Sequence, residues 1–231
     1  MLILGIDSSS KIASAAVFDS ENNKILSEVN SGSSLSHSEN LLPMIDYALK
    51  TAGACAGDIN LFAVANGPGS FTGIRIGVAT VKGLAFGGSD NCIGVSSLQA
   101  LAYNFTGSTQ DILILPVIDA RRRQVYNAVF TADLEYITRE RTITVDELEC
   151  ELNLEYAGKS VIFTGDGAEL CYNEIKFAGK IKAPDILTRP SAGALCAAAL
   201  REYKQNGAIG ANKLAPAYLI KTQAEREYED K

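Results

Sequence analysis

The sequence predicts an α/β protein built from two similar lobes, and three observations point to it. Apolar strand-like segments alternate with segments of helical period, and the series strand, strand, strand, helix, strand, helix begins again near residue 112. The two series share residues in register. Ile6-Asp7 is followed by Ala16-Val17-Phe18, and 112 positions later Ile118-Asp119 is followed by Ala128-Val129-Phe130. A glycine turn between a strand and a helix also occurs twice, as Gly67-Pro68-Gly69 and Gly165-Asp166-Gly167.

In chain order, Leu2 to Asp7 reads as a short buried strand, and Ile12 to Asp19 as a second of small residues. Glu21-Asn22-Asn23 marks a turn, after which Lys24 to Asn30 is a third, more exposed strand. Leu41, Leu42, Ile45, Ala48, Leu49 and Ala52 recur at helical spacing, with Ser38 as the expected cap and Pro43 in the first turns. Ile59 to Asn66 is a strand, Phe71 to Phe86 a helix and Asn91 to Val95 another strand. The second series has strands at Ile112 to Asp119, Gln124 to Phe130 and Tyr136 to Thr144. A helix from Val145 to Leu154 and a strand at Val161 to Thr164 follow, then a short helix after the Gly165 turn and an alanine-rich helix from Ser191 to Gln205. Pro216 to Leu219 reads as a last extended piece, and the charged tail from Gln223 as frayed or helical. The lobes are expected to be residues 1–106 and 107–231, with the boundary near Gly107.

Composition excludes several functions. A chain of 231 residues with 47% apolar and 21% charged residues builds a core without disulfides or metal. A net charge of −6 argues against gripping nucleic acid alone, since that affinity comes mainly from Lys and Arg neutralising phosphates. The single histidine, His37, excludes a metal site with two histidine ligands and leaves a serine-protease triad unsupported. The five cysteines are scattered, odd in number and without a C-x-x-C pair, as expected of buried small hydrophobes in a reducing cytosol. The first residues lack the basic flank of a signal peptide, and Ile76 to Gly88 is too short for a membrane span and carries Lys82. The expected location is the cytoplasm, away from membranes.

The two Ile-Asp hairpins are the first place to look for chemistry. Asp7-Ser8-Ser9-Ser10-Lys11 and Asp119-Ala120-Arg121-Arg122-Arg123 contain no glycine. A backbone comes close to a phosphate most readily where side chains are absent. Asp7, Ser8, Ser9, Asp119, Gly165 and Gly167 therefore form, at most, a degenerate nucleotide cleft without a metal. Arg121 to Arg123 are open to three readings: a solvated tip, a partner contact or a phosphate contact. Gly67-Pro68-Gly69-Ser70-Phe71-Thr72-Gly73 could hold an anion at a helix start. It lacks the Gly-Lys-Ser/Thr of a P-loop, and helix packing, within the chain or between subunits, is the preferred use of Gly73 and Gly77. The two long helices show more apolar width than one buried face needs. A subunit contact is expected through Leu41, Met44, Ile45 and Ala48 of the first, and through Gly73, Ile74, Gly77, Val78, Thr80 and Val81 of the second.

A duplicated chain with an Asp ending each first strand resembles the actin-like (ASKHA, ribonuclease H-like) superfamily. More closely, ILGIDSSS, HSENLLPMID, GPGSFTGIRIG, IGVSSL, VIDARRRQVYNAVF and PAYL together resemble the TsaB (YeaZ) family of tRNA threonylcarbamoyladenosine biosynthesis. The match is strong through Phe130 and thinner beyond it. The resemblance implies a non-catalytic, cofactor-free partner of TsaD, a paralogue carrying a metal-binding histidine pair. TsaD transfers threonylcarbamoyl from its adenylate, made by TsaC, to the adenosine beside the anticodon of tRNA. It further implies a TsaE ATPase in the cycle, a homodimer of the isolated chain through the TsaD-binding helices, and tRNA contact only through the complex. The alternative is an autonomous actin-like ATPase or phosphotransferase, against which the glycine-free hairpins speak.

Overall fold

The computed structural model describes residues 1–32, 36–108 and 111–219. The charged tail from Gln223 lies outside them. The first series is β1 (Leu2–Asp7), β2 (Ala13–Asp19), β3 (Lys24–Ser31), α1 (His37–Thr51), β4 (Leu61–Gly67), α2 (Phe71–Phe86), β5 (Cys92–Ser96) and α3 (Ser97–Tyr103). The second is β6 (Ile112–Arg121), β7 (Gln124–Phe130), β8 (Tyr136–Thr144), α4 (Val145–Glu155), β9 (Ser160–Thr164), α5 (Ala168–Glu174), β10 (Lys180–Lys182) and α6 (Ala192–Asn206).

Both series build the same five-stranded sheet. The first has strand order β3-β2-β1-β4-β5 and the second, read in the same sense, β8-β7-β6-β9-β10. In each, the first three strands pair antiparallel and the last two add in parallel. This is the duplicated, two-lobed arrangement that the residue repeat predicts, and it agrees with the actin-like fold that the resemblance implies.

Local chemistry sets the helix starts. Glu39 accepts hydrogen bonds from the backbone N–H (3.0 Å) and hydroxyl (2.6 Å) of Ser36, so α1 begins after Ser36 and not at the expected Ser38. Pro43 then falls in the second turn of α1, beyond the first turn where its missing N–H is free of cost; it lies on the exposed face, where water reaches the carbonyl left without a donor. Thr144 and Glu147 form the reciprocal box of α4, with Glu147 N–H on Thr144 Oγ1 at 3.2 Å and Thr144 N–H on Glu147 Oε2 at 3.0 Å.

The core has three layers. Leu4, Ile6, Phe62 and Val64 of the first sheet pack under Leu41 and Ile45 of α1 and Ile74 and Val78 of α2. Leu115, Val129 and Phe163 of the second sheet pack under Leu148 and Leu152 of α4. Between the lobes, α3 and α6 pack on each other, α3 reaching β6 and β7 while α6 lies across β1 and β2. The central strands are thus buried on both faces and read as continuous apolar runs.

Residues 192–219, expected in the second lobe, are tied to both: Arg201 donates to the Asp133 carbonyl at 3.0 Å, and the segment also packs on the first sheet. Cys92 and Ile209 exchange backbone hydrogen bonds at 2.8 and 2.9 Å, and Ala211 N–H donates to Asp90 Oδ1 at 2.8 Å. Glu28 of β3 accepts from the Ser191 hydroxyl (2.8 Å) and Gly193 N–H (3.3 Å), placing a carboxylate at the start of α6. The fit depends on small residues. A Cβ on Gly5 would lie 2.5 Å from Cys196 Sγ and 2.7 Å from the Ala192 carbonyl oxygen. Gly5→Ala should therefore cost about 1–3 kcal/mol through overpacking, read as a lower urea midpoint; an unchanged midpoint would mean that α6 does not press on β1.

Candidate functional site

The first hairpin leaves β1 at Asp7. The Asp7 carboxylate is buried and its Oδ1 accepts from the Ser9 backbone N–H (2.8 Å) and hydroxyl (2.7 Å), a local turn that fixes the loop. Burial pushes the Asp7 carboxyl above its ordinary value of 3.8, opposed by the Ser9 hydrogen bonds and the nearby His37. The loop is then held against the start of α2. Ser8 Oγ donates to the Gly73 carbonyl at 2.8 Å, and Ser70 N–H donates to the Ser9 carbonyl at 2.6 Å.

Three glycines make this approach possible. A Cβ on Gly69 would run into the Ser9 carbonyl oxygen and one on Gly73 into the Ser8 carbonyl oxygen, while one on Gly77 would come 2.5 Å from Ser8 Oγ. Gly69 also has φ +152°. The space beside this hairpin is filled by the chain's own helix, so the glycines of GPGSFTGIRIG serve packing within the chain.

Most residues expected at a subunit contact lie inside the chain. Leu41, Met44, Ile45 and Ala48, with Gly73, Ile74, Gly77, Val78 and Val81, are buried within the chain, and only Thr80 is partly exposed. Helical period locates the apolar faces but does not say which one meets the sheet. The outward row is Leu42 and Tyr47 on α1, 56% and 63% exposed, and Ala79, Gly83 and Phe86 on α2, with Phe86 93% exposed. A Cβ on Gly83 would meet open space.

The second hairpin carries Asp119 near the end of β6, the counterpart of Asp7 at the end of β1. Asp119 Oδ1 accepts from Arg121 N–H at 2.8 Å, its Oδ2 lies 3.3 Å from Arg121 Nη1, and its own N–H donates to Asp166 Oδ1 at 3.0 Å. Arg121, Arg122 and Arg123 all have positive φ, at 70°, 53° and 59°. The tight hairpin needs that left-handed backbone, which glycine supplies at no steric cost and arginine does not. Arg123 pairs with Asp146 at 2.9 Å and Glu174 at 2.5 Å, whereas Arg122 has no ion pair among the described residues. Gly165, at φ +94°, and Gly167 press the loop onto β6, a Cβ on Gly167 coming 3.1 Å from Asp119 N. Low-dielectric walls push the Asp166 carboxyl up, as does the neighbouring Asp119 charge, against the pull of the Asp119 N–H, Lys11 and Arg121.

The two hairpins face each other across a cavity of about 270 Å³, whose charged lining is Asp7, Lys11, Asp119, Arg121, Asp166 and Arg189. A neighbouring space of about 430 Å³ reaches His37 and Tyr126. Among the described residues no three His, Cys, Asp or Glu side chains gather as metal ligands. His37 donates from Nε2 to the Ser10 carbonyl at 2.7 Å, so it braces the first hairpin.

Sequence reading left PAYL without a role; the structure supplies one. Tyr218 stacks on Phe71 at 5.0 Å, Arg75 lies 3.8 Å over the Phe71 ring, and Arg75 Nε donates to Tyr218 Oη at 2.8 Å. Ala217 N–H donates to the Asn66 carbonyl at 2.7 Å. The segment is a strap over the Gly67 turn, invisible in sequence because its partners lie some 150 residues earlier.

Two measurements check this geometry. Gly73→Ala should destabilise the isolated chain by more than about 2 kcal/mol, because a backbone carbonyl blocks the methyl group; chemical denaturation reads it, and a neutral result would open the face again. Asp7→Asn should stabilise at neutral pH. With a raised folded value, Asp7 binds its proton more tightly folded than unfolded, so the native protein loses stability as pH rises above 3.8. The advantage of Asp7→Asn should shrink on acidification towards that value; an advantage independent of pH would contradict the assignment.

Comparison with known proteins places this geometry in a family. A family model described as TsaD, tRNA N6-adenosine threonylcarbamoyltransferase, matches residues 25–228. The tRNA threonylcarbamoyladenosine biosynthesis protein TsaB of Escherichia coli is 30% identical over 225 residues, covering 95% of this chain and 94% of that protein. TsaB of Bacillus subtilis is 33% identical, covering 74% and 73%. Among solved structures, YeaZ from Pseudomonas aeruginosa aligns with a TM-score of 0.78 at 23% identity, over 94% of this chain and 99% of that one. The model matched over most of the chain, the relatives aligned along it and the shared fold agree, and the chain belongs to the TsaB (YeaZ) family.

Proposed function

We propose that this chain is a non-catalytic partner subunit in the threonylcarbamoylation of tRNA, working with a TsaD-type transferase. The observation that carries the reading is the first hairpin, which has no glycine and whose flank is occupied by α2 through Gly69, Gly73 and Gly77. The names of the curated relatives, TsaB proteins of tRNA threonylcarbamoyladenosine biosynthesis, support it. The second hairpin agrees, since its Asp119 is tied to Arg121 and to the Asp166 loop. The reading puts the protein in the cytoplasm with a TsaE-type ATPase joining the complex. No helix among the described residues is long and apolar enough to cross a membrane. The net charge of −6 supports tRNA binding by the assembled complex rather than by this chain.

The contact with the transferase, and with a second copy when the chain is alone, runs through the outward row of α1 and α2. Leu42, Tyr47, Ala79, Gly83 and Phe86 are apolar or small and lie on adjacent helices. Small residues at Ala79 and Gly83 allow a partner helix to come close. Replacing both by Arg should leave stability within about 0.5 kcal/mol, as for ordinary surface changes, and weaken binding to the transferase at least about tenfold. Unchanged binding by calorimetry would move the contact elsewhere. The catalytic assignment is tested by supplying threonylcarbamoyl-adenylate and tRNA. Modified tRNA should form only when the TsaD-type protein is added, and product from this chain alone would overturn the reading.

A further inference from the structure

The cleft between the hairpins carries unpaired charge of both signs. Asp7 is buried and accepts only from Ser9, while Asp166 accepts from Asp119 N–H of β6 with Lys11 and Arg121 nearby; neither forms an ion pair among the described residues. Lys11 and Arg189 line the same cavity, are exposed to it and likewise have no ion pair among the described residues. Asp119 and Arg121 already satisfy each other. The four remaining groups sum to no net charge, with two anions and two cations around one space. A buried carboxylate without a counter-charge is costly, and a ligand bearing a single charge would relieve only one half of this lining. An added phosphate would meet the like charges of Asp7 and Asp166.

We propose that the interlobe cleft binds a small zwitterion of the free α-amino acid class, its carboxylate on Lys11 and Arg189 and its ammonium on Asp7 and Asp166. The site draws on both lobes. Asp7 and Lys11 belong to the first hairpin, Asp166 to the turn after β9, and Arg189 to the connection into α6. Such a ligand links the lobes by ion pairs that the free protein does not make. The proposal is independent of the partner-subunit reading, because it concerns the cleft and not the outward helix row.

Isothermal titration calorimetry of the purified full chain tests it, with the twenty L-amino acids as probes. Propionate and propylamine serve as single-charge controls, and magnesium ATP as the nucleotide control. At least one amino acid should bind saturably with one site per chain, and neither control amine nor control acid should match it. Lys11→Ala, Arg189→Ala and Asp166→Asn should each weaken that binding about tenfold or more, the loss expected for a charged hydrogen bond. All three side chains are exposed, so the variants should keep the native circular dichroism spectrum. The proposal is overturned if no amino acid binds, if propionate or propylamine binds equally well, if the three variants bind like the native chain, or if only magnesium ATP binds.

Discussion

The seating of the Ser8–Ser9 hairpin in the glycine row that opens α2 is the contact on which the remaining arrangement depends. Backbone and helix meet there at distances that leave no room for a Cβ at Gly69, Gly73 or Gly77. The seat is closed by Ser8 Oγ on the Gly73 carbonyl and by Ser70 N–H on the Ser9 carbonyl. It fixes the rotation of α2, sending Ile74, Val78 and Val81 to the sheet and Ala79, Gly83 and Phe86 outward. It also keeps Asp7 buried in a self-contained turn. One packing decision thus occupies the flank of the first hairpin and leaves an apolar row of α2 exposed.

Much of the fold is legible in the sequence because local signals and the repeat agree. The apolar strands and the turn at Glu21 to Asn23 fall where they are read, while the one expected cap, Ser38, gives way to Ser36. What escapes is non-local or lacks a period. All seven residues of α3 are buried, so the helix has no polar face to betray it. The three residues of β10 are too few to alternate visibly. The return of α6 to the first sheet rests on Gly5, Cys196 and Ala192, which are far apart in sequence and chemically unremarkable.

The parts of the site are legible in the sequence, and the direction its glycine row faces is not. Asp7, Asp119 and the Gly165–Gly167 turn converge on one cleft, as the duplicated hairpins imply. The glycines of α2 carry the same period whether they face a partner or the chain's own hairpin, and only the Ser8 contacts distinguish the two. The crossing of α3 and α6 then joins the lobes through a shared apolar layer, so the cleft walls are set by packing at the far side of the sheets.

The central claim is that the hairpin flanked by α2 does not run nucleotide chemistry. Its most direct test is steady-state ATP hydrolysis by the purified chain with magnesium, beside Asp7→Asn and Asp119→Asn. The account predicts phosphate release at the uncatalysed background rate for all three proteins. Sustained turnover by the native chain, lost in Asp7→Asn or Asp119→Asn, would contradict it.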